Sequence, residues 1–290
     1  MEIKSKMVQF LLCTTLVSMV CSCAKNDELV ENKTSLRKLP QSSIDYGTLH
    51  NEILDACLAE CQNQINPDDY VSVYVNYELY AAYSNIIARG ANDYAYRVYG
   101  DTVPFGVITC PGEYWNQWIA QYSYMSQNLP GADSAFNLTI QLFDDCIDMV
   151  YGGVEVNETY WTDLIGNIDN HLWDIYYQCE PLCATIDERE ALEVMCSVMA
   201  GSCTYWSDTT KMEAWRELAW NAQCQYLNLR SLDESAFEQY RIDYKMSTKE
   251  KVKEFVVTDG MAALSAAYMG PHCALSAAGF FSAIVALSWD

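Results

Sequence analysis

Four short sequence patterns do most to limit what this chain can fold into. Thr185 precedes Glu188, Thr210 precedes Glu213, Ser231 precedes Glu234 and Ser247 precedes Glu250. In each pair the hydroxyl can accept from a free backbone N–H of a first helical turn, while the carboxylate three residues on reaches back to another. All four stand directly before segments whose apolar residues recur at three and four, the period of a half-buried helix. Helices are predicted at about 113–127, 132–150, 158–178, 186–203, 208–228, 232–244 and 248–268. Earlier in the chain, Leu49, Ile53, Leu54, Cys57, Leu58 and Cys61 share the helical period, which Pro67 ends. Val71, Val73 and Val75 alternate as a strand would, and Tyr77 to Ile87 returns to helical spacing. Gly90, and then Gly100 to Gly112 with Pro104 and Pro111, read as loop. The expected fold class is all-α, a multi-helix bundle or irregular helical array.

The chain can fill such a bundle. Apolar residues make up 51% of it and aromatics 13%, enough to bury a core despite a formal charge of −22. A charge of that sign repels phosphate backbones, so nucleic acid is excluded as a partner. It also disfavours docking onto anionic lipid by charge alone. No cofactor is implied.

The first residues read as an address. Lys4 and Lys6 precede an apolar run from Met7 to Val20, and Ser22-Cys23 closes it. A basic start, a short apolar stretch and a small residue before the cut are the marks of a secretory signal. Val20-Cys21-Ser22-Cys23 resembles the lipobox of bacterial lipoproteins, with Val20 for the commoner leucine and Cys21 for a smaller residue. The resemblance implies cleavage before Cys23 and lipidation of Cys23. Ala24 follows, so the aspartate that holds many such proteins at the inner membrane is absent. Lys25-Asn26-Asp27-Glu28 resembles the charged export signal of Bacteroidota-type surface lipoproteins. The expected place is the outer membrane, at the cell surface, with the lipid as membrane anchor. Loss of Lys4, Lys6 and Glu2 with the signal takes the formal charge to about −23. The implied organisation is a signal peptide at 1–22, a polar tether at 23–45, a helical domain at 46–247 and a small-residue tail at 248–290.

Export bears on the cysteines. With Cys13 and Cys21 removed and Cys23 lipidated, Cys57, Cys61, Cys110, Cys146, Cys179, Cys183, Cys196, Cys203, Cys224 and Cys273 remain. An even set bound for an oxidising space leads us to expect disulfide bracing. Cys57-x3-Cys61 and Cys179-x3-Cys183 repeat one spacing. Residues four apart on a helix do not bridge well to each other, but two such helices lying antiparallel could be joined by two bridges. Cys196 and Cys203, two turns apart, would bond elsewhere. No Cys-x2-Cys pair occurs, so neither zinc nor a redox-active pair is indicated.

The tail has its own composition. From Phe255 to Asp290 the charged residues are Asp259 and Asp290 alone, and Gly270-Pro271 divides the segment. Gly270, Ala274, Ala278, Ser282 and Ala286 recur every four residues, a stripe along which another backbone can approach closely. The tail resembles the small-residue-rich ends of Bacteroidota-type lipoproteins and the small-residue helices of some bacteriocins. Two uses stay open: a hairpin buried in the body, or one that enters a membrane or a partner. Short arms, Asp259 and His272 weigh against a span.

Chemistry is hard to find in the residues. There is no Gly-x-Ser-x-Gly, phosphate loop, His-Glu-x-x-His or dinucleotide fingerprint. Asp144, Asp145 and Asp148, and Asp163, Asp169 and Asp174, cluster without a calcium-loop pattern and read as solvated surface. His171 and Asp174, three apart, have the spacing of a base and its orienting carboxylate, but no nucleophile can be named. Trp115, Trp118, Trp161 and Trp173, with Tyr122, are candidates for stacking on glycan rings, although aromatic side chains at helical spacing more often fill a core. Asp101-Thr102-Val103, Asp133-Ser134-Ala135 and Asp208-Thr209-Thr210 resemble the O-glycosylation signal of Bacteroidota-type export proteins. The leading expectation is a non-enzymatic surface lipoprotein that binds a glycan or a surface protein. A bacteriocin-like protein with an inserting tail is the alternative. A hydrolase would need two carboxylates converging in a deep pocket.

Overall fold

A computed structural model describes residues 45–64, 77–100, 111–150, 153–227 and 248–287. Their secondary structure is helical apart from one two-stranded hairpin. In chain order the helices are α1 (Tyr46–Gln64), α2 (Tyr77–Tyr99), α3 (Pro111–Asn128) and α4 (Pro130–Asp144). The hairpin β1 (Ile147–Val150) and β2 (Gly153–Val156) follows. Next come α5 (Glu158–Gly166), α6 (Ile168–Cys179), α7 (Ile186–Ser207), α8 (Thr209–Leu227), α9 (Thr248–Ala266) and α10 (Pro271–Leu287). The signal, the tether with Cys23, the Val71–Val75 alternation, the helix expected at 232–244 and the Ser231–Glu234 box lie outside the described residues.

Helix starts follow local chemistry. The Thr185 side chain accepts from the Glu188 amide at 3.0 Å and begins α7, as the sequence predicts. The second box is set differently. Asp208 Oδ1 accepts from the Thr210 amide at 2.8 Å, so α8 starts at Thr209, one residue before the threonine expected to cap it. Helix α9 begins at Thr248, directly after Ser247. Two further starts are capped by side chains: Asp45 accepts from the Thr48 amide at 3.0 Å, and Asn157 from the Tyr160 amide at 3.2 Å.

Three expectations need correction. The helix predicted over 132–150 stops at Asp144, and Ile147–Val150 pairs antiparallel with Gly153–Val156 in the register Ile147 to Val156. The Cys146 carbonyl accepts from Asn157 at 2.9 Å and closes the base of that hairpin. The helix predicted over 158–178 breaks at Asn167, which leaves the helical region at φ −129°. Gly90 is no loop residue: it lies inside α2, where a Cβ would stand 2.9 Å from the Cys57 Cα and 3.0 Å from the Ala56 carbonyl oxygen. The absent side chain lets α1 and α2 touch through their backbones.

The core is one continuous apolar cluster that takes in the tail as well as the preceding helices. Helix α7 runs through it and packs against α1, α4, α6 and α9. It meets α1 backbone to backbone, where a Cβ on Gly201 would lie 2.6 Å from the Gly47 Cα. The Gly47 amide, a free donor of the first turn of α1, is met there by Ser197 Oγ at 2.9 Å. Helices α9 and α10 form a hairpin around Gly270, whose φ of 96° is the left-handed conformation that glycine adopts without strain. Pro271 then opens α10, where no amide is needed. Every residue of α10 from Cys273 to Leu287 is buried, enclosed by α1, α2, α7, α8 and α9. The small-residue stripe is therefore a packing seam, and the tail is core. Among the described residues no helix is long and apolar enough to cross a membrane.

Candidate functional site

Most apolar side chains serve the core; Tyr96, Val98, Tyr124, Tyr160 and Tyr268 are exposed at scattered positions, and three more are exposed close together in the chain. Helix α6 ends at Cys179, and a 3-10 turn over Glu180–Leu182 carries the chain to the cap of α7. Ile186 is 81% exposed, Leu182 53% and Tyr177 40%. They stand within ten residues of one another at one end of the α6–α7 hairpin. The half-buried Trp173 continues this surface, its ring 6.2 Å from that of Tyr177 and edge-on to Tyr176 at 5.3 Å. Asp174, Asp187 and Glu190 are exposed nearby and Glu180 is half-buried, while Arg189 is the one basic residue from 173 to 193.

A buried carboxylate ties the turn down. Glu188 is 1% exposed, and its carboxylate accepts from the Ala184 amide at 2.6 Å and the Gly131 amide at 3.0 Å. One buried carboxylate thus ties the loop before α7 to the first turn of α4. Two backbone donors compensate the burial of its charge.

A second arrangement is internal. His50 on α1, Trp206 on α7, Asp259 on α9 and Ser282 on α10 meet in the core, and each is almost or wholly shielded from solvent. The Trp206 indole N–H donates to Ser282 Oγ at 2.9 Å, and Ser282 Oγ donates to Asp259 Oδ2 at 2.9 Å. His50 Nε2 stands 3.2 Å from the same oxygen, a close polar approach without hydrogen-bond alignment. His50 Nδ1 lies 3.0 Å from Asn51 Oδ1. Ser282 belongs to the small-residue stripe of α10, and that is where the indole and the carboxylate reach the helix. The carboxylate lies between serine and imidazole, so the ring is not placed to take the serine proton and the array is not a nucleophile–base pair. It joins four helices. Neighbouring α1 and α8 are linked by Asp55, which accepts from Lys211 at 2.5 Å and from the Tyr205 hydroxyl at 3.0 Å. Burial pushes the Tyr205 hydroxyl pKa well up.

The cysteines are not used as the sequence leads one to expect. Cys57, Cys61, Cys146, Cys179, Cys183, Cys196, Cys203 and Cys273 are free thiols, all buried. Cys110, and the side chain of Cys224, lie outside the described residues. The expected double bridge between the two Cys-x3-Cys pairs is absent because the pairs face different neighbours. Cys57 turns to α2, donating toward the Ile87 carbonyl at 3.5 Å, whereas Cys183 lies against Gly131 of α4. Burial raises the thiol pKa of Cys183 to about 11 and of Cys203 to about 12, so these two are protonated at neutral pH and poor nucleophiles. Among the described residues no group of side chains could hold a metal ion.

The aromatic candidates divide. Trp118 is 9% exposed and packs edge-on against Phe281 at 4.9 Å, so its faces are not offered to a sugar. Trp161 and Trp173 are half-buried, and Trp161 has Lys249 over its ring at 5.5 Å. The Trp115 side chain lies outside the described residues. His171 pairs with Asp163 at 3.3 Å rather than with Asp174, at a solvent-facing position where Asp163 is 61% exposed. Asp163 also lines a shallow, open depression with Glu158, Thr159, Thr162 and Asn167. Asp144 pairs with Lys253, and Asp145, Asp169 and Asp174 are exposed. Asp133 and Ser134 stand within α4, and Asp208 caps α8.

Sequence reasoning missed both the exposed turn and the buried network. Ile186 follows a capping residue and reads as the first apolar position of a core-facing helix. His50, Trp206, Asp259 and Ser282 are spread over 233 positions of the chain. A lone carboxylate in a segment otherwise small and apolar was the one visible signal.

Comparison of the chain with known protein families, with curated proteins and with solved structures found no match.

Proposed function

We propose that this chain is a lipid-anchored protein of the outer membrane, displayed at the cell surface, that binds a partner there without catalysing a reaction. The lipobox-like Val20-Cys21-Ser22-Cys23 supports the address. The exposed side chains of Tyr177, Leu182 and Ile186, within ten residues of one another in the chain, carry the binding role. Large apolar side chains left in water on and beside a turn tied down by Glu188 are better covered by a partner. Replacing Cys23 with serine and fractionating cells tests the address: the variant is expected in the soluble fraction, and retention in the membrane would overturn the reading.

A bacteriocin-like role, in which the α9–α10 hairpin leaves the bundle for a target membrane, is the second reading. The composition of α10 supports it: apart from His272, Ser276 and Ser282 the helix is small or apolar, a makeup that suits lipid as well as a protein core. The Asp259–Ser282–Trp206 links hold that hairpin in the bundle and favour the first reading. Dye release from liposomes by the mature protein, beside a version ending at Lys253, separates the two. Release that needs the tail would replace the first reading with the second.

A further inference from the structure

Resting on the reading that this chain acts by binding through the α6–α7 turn, we infer that the turn docks a cationic polypeptide segment, one with an apolar face flanked by lysine or arginine side chains. The most exposed members of the patch are aliphatic: Ile186 at 81% and Leu182 at 53%. Branched aliphatic side chains complement other apolar side chains, whereas a sugar face calls for a flat ring. Only Tyr177 and the half-buried Trp173 offer rings here, inclined by 34° to each other. The surroundings set the sign of the partner. Within residues 173–193 the exposed or half-exposed acids Asp174, Glu180, Asp187 and Glu190 outnumber the one basic residue, Arg189, on a chain of formal charge −22. Acidic glycans and anionic lipid would be repelled, and a segment carrying basic residues on its flanks is drawn in. The apolar centre with a charged rim is the anatomy of a protein-binding patch. Because Glu188 already fixes the loop through Ala184 and Gly131, little ordering is needed on binding.

The test uses the full mature chain as its Cys23→Ser variant. Fluorescence anisotropy would be read with two labelled amphipathic peptides of identical apolar face, one flanked by lysine and one by glutamate. The lysine peptide is expected to bind at least tenfold more tightly, and more weakly at 500 mM than at 50 mM salt. Ile186→Ser and Leu182→Ser should each weaken it about tenfold with the thermal melt unchanged, and Glu190→Gln a few-fold. Equal binding of both peptides, or indifference to Ile186→Ser, would overturn the inference. A panel of neutral oligosaccharides is run beside them. If these bind and Ile186→Ser abolishes it, the inference falls and the binding role of the turn stands. If neither peptides nor sugars respond to either substitution, both fall.

Discussion

Removing the Ser282 hydroxyl is the most direct test of what joins the C-terminal hairpin to the bundle. Ser282→Ala deletes one oxygen and keeps the helix former, so no large cavity opens. Two hydrogen bonds go with it, each 2.9 Å long and buried. The Trp206 indole loses the acceptor that Ser282 provides, a cost of about 1–3 kcal/mol. Asp259 loses a donor to a carboxylate whose Oδ1 already has no hydrogen-bond partner, worth about 1.5–3 kcal/mol. Allowing for the apolar gain of alanine, the net loss should be about 3 kcal/mol. For a chain of this size that is a fall in Tm of roughly 6–12 °C. Urea denaturation followed by tryptophan fluorescence measures it. Trp206→Phe supplies the other corner of a double-mutant cycle, since phenylalanine keeps the stack on Phe255, where the rings are 3.7 Å apart and 11° from parallel. In that background Ser282→Ala should cost about 1–2 kcal/mol less than in the native protein. A loss below about 0.5 kcal/mol in the native background would refute the reasoning, because buried partners cannot be removed so cheaply.

Other expectations follow from the packing. Gly201→Ala puts a Cβ 2.6 Å from the Gly47 Cα and carbonyl oxygen, forcing α1 and α7 apart. It should destabilise by about 1–3 kcal/mol in urea despite better helix propensity. Gly166→Ala, where nothing lies within 4 Å, should be neutral or slightly stabilising. In the reduced protein at pH 8, the eight described thiols should resist iodoacetamide until the chain is unfolded, as read by mass mapping; rapid labelling of Cys196 or Cys203 in the native protein would contradict their burial. Stability should also decline in alkali. Burial raises Tyr99, Tyr122 and Tyr176 to about 12 and Cys183 to about 11, so the unfolded chain releases these protons first. Between the ordinary cysteine range and pH 12 the native state binds more protons, and stability falls as pH rises. A flat urea midpoint from pH 8 to 11 would count against it.

The sequence by itself determined the local events. Thr185 begins a helix because its hydroxyl meets an amide three residues away, a contact that needs no other part of the chain. Gly270-Pro271 divides the tail because one residue takes a positive φ and the next needs no N–H. The stripe of small residues on α10 was likewise legible as a place of close approach. Whether that approach was to lipid or to protein was not, since either would favour the same residues. Tertiary structure decided this by bringing α1, α2, α7, α8 and α9 around the helix. It also turned Gly90 from an expected loop into a helix contact, because nothing near Gly90 in sequence announces the backbone of Cys57. The cysteines show the same division. Their even count suggested bridges, but pairing depends on which elements face one another: Cys57 on α1 turns to α2, and Cys183, beyond the end of α6, lies against Gly131 of α4. The exposed turn belongs to tertiary structure as well. Ile186 has the sequence context of a core residue, yet the packed chain leaves it 81% exposed.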